Sequence, residues 1–291
     1  MKDINLLIFL NLKFRIQNSK ILISILKYLY ILIFLYSPIF GASLKTGEYL
    51  KYEVSLIGLT VGYSTMEIPE KIQCEKSECL VFETKAWGSA WINTFFPVDD
   101  HIVSHWDPDN QLPVYSYKKI REGFYKRTSI VWYNLNSKTA HWTKKEYSGN
   151  TDKAGEERKG IKWKDGEGEV SKLPDNFQDI LSAIYFQRIH PGEAEIGKSF
   201  SIFLFDDNKL SEMKMNILRK EEISLKINGK LEKFSTIVVQ PFIKTTGIFR
   251  SKGNIYIWIS DDTNRYPIQI TADLPIAGHV TVKLSEIHYP N

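Results

Sequence analysis

Residues 253–268 read Gly-Asn-Ile-Tyr-Ile-Trp-Ile-Ser-Asp-Asp-Thr-Asn-Arg-Tyr-Pro-Ile, and they spell out a strand, a turn and the start of a second strand. Ile255, Ile257 and Ile259 alternate with Tyr256 and Trp258, the period of two that lays one strand face on a core. In Asp261-x-x-Asn264-x-x-Pro267-Ile268 the Asp side chain can accept from backbone two residues on, and Asn tolerates φ > 0. Pro267 then opens a strand where no donor is needed. The same signature recurs at Asp107-x-x-Asn110-x-x-Pro113-Val114.

Working outward, alternation also governs Tyr49–Ser55, Cys79–Thr84, Thr128–Tyr133, Phe200–Phe205 and Val280–Leu284. Turn residues separate these runs at the spacing of a meander, so the pattern predicts a mainly β, mostly antiparallel chain of at least ten strands. One segment breaks the rule. Phe177, Ile180, Leu181, Ile184 and Tyr185 recur at three- and four-residue steps between Pro174-Asp175 and Pro191-Gly192. That predicts one amphipathic helix over 176–189, with Gln178 and Gln187 on its exposed side. The stretches it divides, 47–145 and 195–289, share the Asp-x-x-Asn-x-x-Pro turn. An offset that superposes those turns also lays Leu80–Trp87 on Phe234–Pro241, so the halves read as a duplication or as convergent turn chemistry. The Lys-, Glu- and Gly-rich stretch 144–172 reads as a solvated hairpin or loop, with a charged flap that gates a ligand as the alternative.

Residues 1–42 form a separate region. Lys2, Lys13, Arg15 and Lys20 precede an apolar run from Ile21 to Phe40 broken only by Lys27, and Gly41-Ala42-Ser43 supplies small residues. This is the pattern of a secretory signal, cleaved near Ser43, or of a retained membrane anchor. Either way residues 43–291 are expected as a single β-rich domain outside the cytoplasm, in the periplasm or outer envelope. Five of the 38 Lys and Arg and one of the 34 Asp and Glu lie in the leader, leaving 33 of each in the remaining 249 residues. A neutral chain carries no basic footprint for nucleic acid. Cys74 and Cys79, separated by four polar residues and flanked by strand-like sequence, are expected to pair across a tight hairpin in an oxidising compartment.

Taken in order, several pieces resemble a bacterial exported family known as domain of unknown function 3108. They are Gly47-Glu-Tyr-Leu-Lys-Tyr52, Gly58-Leu-Thr-Val-Gly62, Val98-Asp-Asp100, Asp179-Ile-Leu-Ser-Ala-Ile-Tyr185 with Arg188, Gly253 to Asp261, and Arg265-Tyr-Pro267. The resemblance covers roughly 47–289 and brings no established chemistry. The Trp-x-Ser-Asp…Pro turn is also similar, at the level of fold, to outer-membrane lipoprotein carriers. That likeness implies a strongly curved antiparallel sheet, a half-barrel or open barrel, with the helix on its concave face.

Chemistry is read by elimination. His101 and His105 lie in strand-like sequence, which sets four residues about 13 Å apart, too far for one ion. No metal site and no cofactor is expected. No Gly-x-Ser-x-Gly elbow and no phosphate loop is present, and Gly58 and Gly62 are assigned to a sharply bent strand. Asp99-Asp100 and Asp261-Asp262 read as surface acids at turns, with paired carboxylates or calcium ligands as the alternative. No catalytic residue is assigned. Instead 7 Trp, 15 Tyr and 16 Phe point to an apolar site. Trp87, Trp91, Phe95 and Phe96, where alternation falters, are candidates for core or for the lip of a cavity capped by Phe177, Ile184 and Tyr185. The expected function is a non-enzymatic envelope protein that holds a lipid-like or glycan ligand, or an envelope protein partner. The rivals are a structural scaffold and a hydrolase or transferase using Asp99, Glu122 or Asp179 beside Arg127 or Arg188. The sequence leaves the oligomeric state open.

Overall fold

Every alternating stretch forms a strand, and together they build one sheet. The computed structural model describes residues 44–75, 77–148, 164–190, 195–206, 208–245, 248–250, 254–274 and 278–289. The leader, its cleavage point near Ser43 and the stop at Pro191-Gly192 lie outside the described residues. No described helix is long and apolar enough to cross a membrane.

β1 (Tyr49–Leu56) and β2 (Leu59–Glu67) are joined by Ile57-Gly58, both at positive φ (50° and 79°), the two-residue turn whose twist matches a hairpin. Gly58 therefore serves a turn rather than a bent strand. Gly62 fits its expected role better, since a Cβ there would come within 2.5 Å of the Trp87 carbonyl oxygen. β3 (Lys71–Gln73) and β4 (Glu78–Gly88) follow, then the single-turn α1 (Ala90–Asn93), a second helix that periodicity did not reveal. A meander comes next: β5 (Asp99–Asp107), β6 (Leu112–Glu122), β7 (Tyr125–Asn134), β8 (Thr139–Ser148) and β9 (Lys164–Ser171). β10 (Phe177–Asp179) and α2 (Ser182–Ile189) lead into β11 (Ser199–Asp206), β12 (Lys209–Ile227) and β13 (Lys230–Thr245). β14 (Ile248–Arg250), β15 (Asn254–Ser260), β16 (Pro267–Leu274) and β17 (Gly278–His288) complete the elements of the described residues.

β17 pairs with β1, so the two ends of the described chain lie side by side and both meanders join into one 17-stranded sheet. Its ladders are antiparallel except β10–β11, a parallel pair connected through α2. The sheet curves without closing. Its β10–β11 end meets β5–β7 through side chains: Ser104 donates to Asp179 at 2.5 Å, Lys118 pairs with Asp206, and Tyr133 lies 5.2 Å from Phe177 and 5.6 Å from Phe205.

α2 fills the interior. Ile184 and Tyr185 join a core that includes Leu50, Phe82, Trp106, Met215, Ile257 and Leu284, with Tyr185 stacked on Phe82 at 3.9 Å. The helix is shorter than the predicted 176–189. The extended Phe177–Asp179 backbone pairs with Phe203–Phe205 instead. Asp179 then acts as the cap: its Oδ1 accepts from the Leu181 and Ser182 N–H groups, and Ser182 Oγ accepts from Asp179 N, a reciprocal capping arrangement. Gln178 and Gln187 are buried, not exposed. α2 lies inside the curved sheet and only Phe186 and Ile189 keep partial exposure, so Gln187 has no polar face to occupy, while Gln178 falls in β10.

The Asp107 turn is as expected, with Oδ1 accepting from Asp109 N and Asn110 N. In its counterpart Asp262 performs that role, while Asp261 binds Lys220 and Arg265. The positive φ falls on Gln111 and Arg265, one residue past each Asn. Stretch 144–172 contributes the β8–β9 hairpin arms, and its centre, 149–163, lies outside the described residues. Cys74 and Cys79 form a disulfide with Cα atoms 5.8 Å apart, where β3 pairs with β4.

Candidate functional site

The aromatic candidates separate into two groups. Phe177, Ile184 and Tyr185 are closed within the packed interior. Trp87, Trp91, Phe95 and Phe96 lie at one end of the barrel-like sheet. Ser89 N donates to Val61 O and Trp91 Nε1 donates to Thr60 O at 2.8 Å, so α1 is tied against the β1–β2 hairpin. Ile92 faces inward, leaving Trp91 and Phe95 outside. Gly123 N donates to Pro97 O, and the Phe96 ring covers Gly123, where a Cβ would come within 2.6 Å of it. This brings in the β6–β7 turn and its Phe124.

The result is an apolar rim of six large exposed side chains: Ile57 (62%), Leu59 (61%), Trp87 (37%), Trp91, Phe95 and Phe124 (each 38%). β1 runs from its pairing with His288, beside the described C-terminus, to this rim. Eight residues at about 3.3 Å each put roughly 25 Å between the chain's entry and the rim. Ile57, Leu59 and Phe124 were not singled out from sequence, because one apolar residue in a turn has no period to betray it.

The polar candidates do not converge. Asp99 is exposed and paired with Lys119. Asp179 is spent on the α2 cap, and burial raises its pKa against the hydrogen bonds from Ser104, Ser182 and Leu181. Arg188, 1% exposed, makes a two-pronged pair with Glu48, both arms 2.6 Å. Its Nε donates to Asn264 O, and its guanidinium lies 4.7 Å from the Tyr266 ring. Burial opposes the Arg188 charge, yet Glu48 overrides it and holds the guanidinium charged. This cluster ties helix, first strand and the Asp262 turn together, which is a structural task.

Glu122 has an acid neighbour that sequence reading placed on the surface. Asp100 is buried, and burial lifts its pKa to about 6 despite the Arg121 backbone N–H and the Glu122 side chain that bond it. Tyr125 and Arg127 lie on the adjacent strand. The pair sits beneath the rim, where Val98 bridges Glu122. Both carboxyls are shut away from solvent.

His101 and His105 point outward from β5; His101 meets Glu83 at 2.5 Å and His105 packs on Tyr115. Among the described residues no group of three or more His, Cys, Asp or Glu is placed to hold a metal.

A family described as protein of unknown function (DUF3108) matches residues 51–285. No curated protein matches the chain. Among solved structures, a β-barrel-like protein of the DUF1849 family from Brucella abortus superposes with a TM-score of 0.51 at 10% identity, covering 86% of this chain and 100% of that one. That likeness concerns the fold. A protein of YmcC-like fold from Bacteroides fragilis, with a TM-score of 0.34, 6% identity and coverage of 86% and 99%, is too distant to argue from. The chain belongs to the DUF3108 family.

Proposed function

We propose that this member of the DUF3108 family is an exported, non-enzymatic protein of the cell envelope that engages an apolar or amphipathic molecule through its aromatic rim. The observation that carries the reading is the gathering of Ile57, Leu59, Trp87, Trp91, Phe95 and Phe124 at one end. Single exposed apolar residues need no explanation, but six of them on elements tied together at one end point to a binding surface. The rings of Trp87 and Trp91 suit a boundary between grease and water. Burying such a patch yields about 25 cal/mol per Å² before the entropic cost of association.

Export rests on residues 1–42, with their basic start, apolar run and small-residue exit. The hydrolase alternative receives a carboxylate pair, Asp100 with Glu122, but both are buried away from solvent. The packed interior argues against a ligand lodged where α2 sits.

Partition of residues 43–291 onto neutral phospholipid vesicles or detergent micelles tests the reading. The Trp91→Ser, Phe95→Ser double variant, which also loses the bond to Thr60 O, is expected to remain folded and to lose at least tenfold in partition. Unchanged partition by a folded double variant would refute the rim as the contact surface.

A further inference from the structure

A second surface lies on the outer face of the sheet, away from the rim. Strand register sets His105 of β5, Tyr115 of β6, Trp132 of β7 and His141 of β8 side by side. Successive ring centroids are 4.7, 6.2 and 5.8 Å apart. Trp132 is 44% exposed although it stands mid-sheet, where a tryptophan gains nothing from water. The adjacent row, two residues nearer the rim, is Val103, Tyr117, Ile130 and Thr143.

Beside these rows, a depression of about 600 Å³ opens between β7, β8 and β9. Thr128, Ile130 and Thr143 contribute hydroxyls and an apolar floor, while Lys144, Lys145, Asp165 and Glu167 balance two charges of each sign around it. Four rings in a row over three inter-strand steps of about 4.8 Å give a platform about 14 Å long. His105 has its pKa lowered by burial, so it adds no cation near neutral pH.

Ring faces joined to hydroxyls and to charges of both signs suit a particular chemistry. A polyanion would meet Asp165 and Glu167. A bare acyl chain would leave the carboxylates and the ammonium groups desolvated without partners. A ring molecule with C–H faces and hydroxyl edges satisfies both halves, stacking on Trp132 and Tyr115 and hydrogen-bonding at the depression. We propose that this outer face binds a neutral oligosaccharide several sugar rings long, independently of the rim.

Titration with three linear neutral hexasaccharides, an α-1,4-glucan, a β-1,4-glucan and a chitin-type N-acetylated one, tests this by calorimetry and amide chemical shifts. At least one is expected to bind saturably, with shifts on β6–β8. Trp132→Ala is expected to weaken it at least tenfold, and the rim variant Trp91→Ser to leave it unchanged. Tyr115→Ala provides a second reading should Trp132→Ala disturb folding. Absence of saturable binding by all three at millimolar concentration, or binding untouched by both platform variants, overturns the proposal. It is equally overturned if no sugar binds and Trp132→Ala abolishes self-association, which would assign the face to a second copy.

Discussion

Asp100 titrates in the opposite sense to an ordinary surface acid. Burial raises its folded pKa to about 6 from the usual 3.8, so the folded state holds a proton that the unfolded state releases. Its contribution is therefore full below about pH 4 and is lost as pH rises through 6, amounting to on the order of 2–3 kcal/mol. Asp100→Asn, which can still accept from Arg121 N, is expected to stabilise the protein at pH 8 and to change little at pH 4. Urea melts at the two pH values check this, and equal stability of variant and parent at pH 8 would contradict it. The Arg188–Glu48 pair follows another logic. Removing one partner strands a buried charge, so Arg188→Leu should cost about 3–5 kcal/mol, whereas Arg188→Leu with Glu48→Leu should recover much of that loss. A double-mutant cycle measures it, and additive losses would mean that the two groups do not depend on each other.

Among the elements, α2 carries the sharpest correction. Its apolar period was legible, and Phe177, Ile180, Leu181 and Ile184 are buried as the period implied. Its start was not, because the choice between helix and strand at Phe177–Asp179 is made by Phe203–Phe205, more than twenty residues away. Nor could burial of Gln178 and Gln187 be read locally, since it depends on a sheet that surrounds the helix. Tyr185, expected from sequence to cap a cavity, is stacked on Phe82 in the core. Tyr185→Ala should accordingly destabilise the fold by about 3–5 kcal/mol. A denaturation midpoint close to the parent's would show that the interior has slack for a guest. The short α1 escaped notice because four residues cannot display a period, though the faltering alternation around Trp87 to Phe96 did mark the place.

On the scale of the whole molecule, strands were legible because each shows its period alone, and the curved sheet was expected from the likeness of the Trp258–Pro267 turn to that of the lipoprotein carriers. Which strands become neighbours was not, and the two candidate surfaces depend on that. The rim joins three turns distant in sequence, and the outer platform joins four strands through their register. The architecture assigns one task to each region: an interior filled by α2, an outer face of rings and polar groups, and an apolar end about 25 Å from the chain's entry.

The central claim is that the rim holds an apolar or amphipathic molecule. Native mass spectrometry of the protein isolated from its own envelope tests it most directly, comparing the parent with the folded Trp91→Ser, Phe95→Ser variant. The account predicts an adduct of lipid-like mass on the parent that is lost from the variant. An adduct equally abundant on both, or none on either under conditions that preserve lipid complexes, would contradict it.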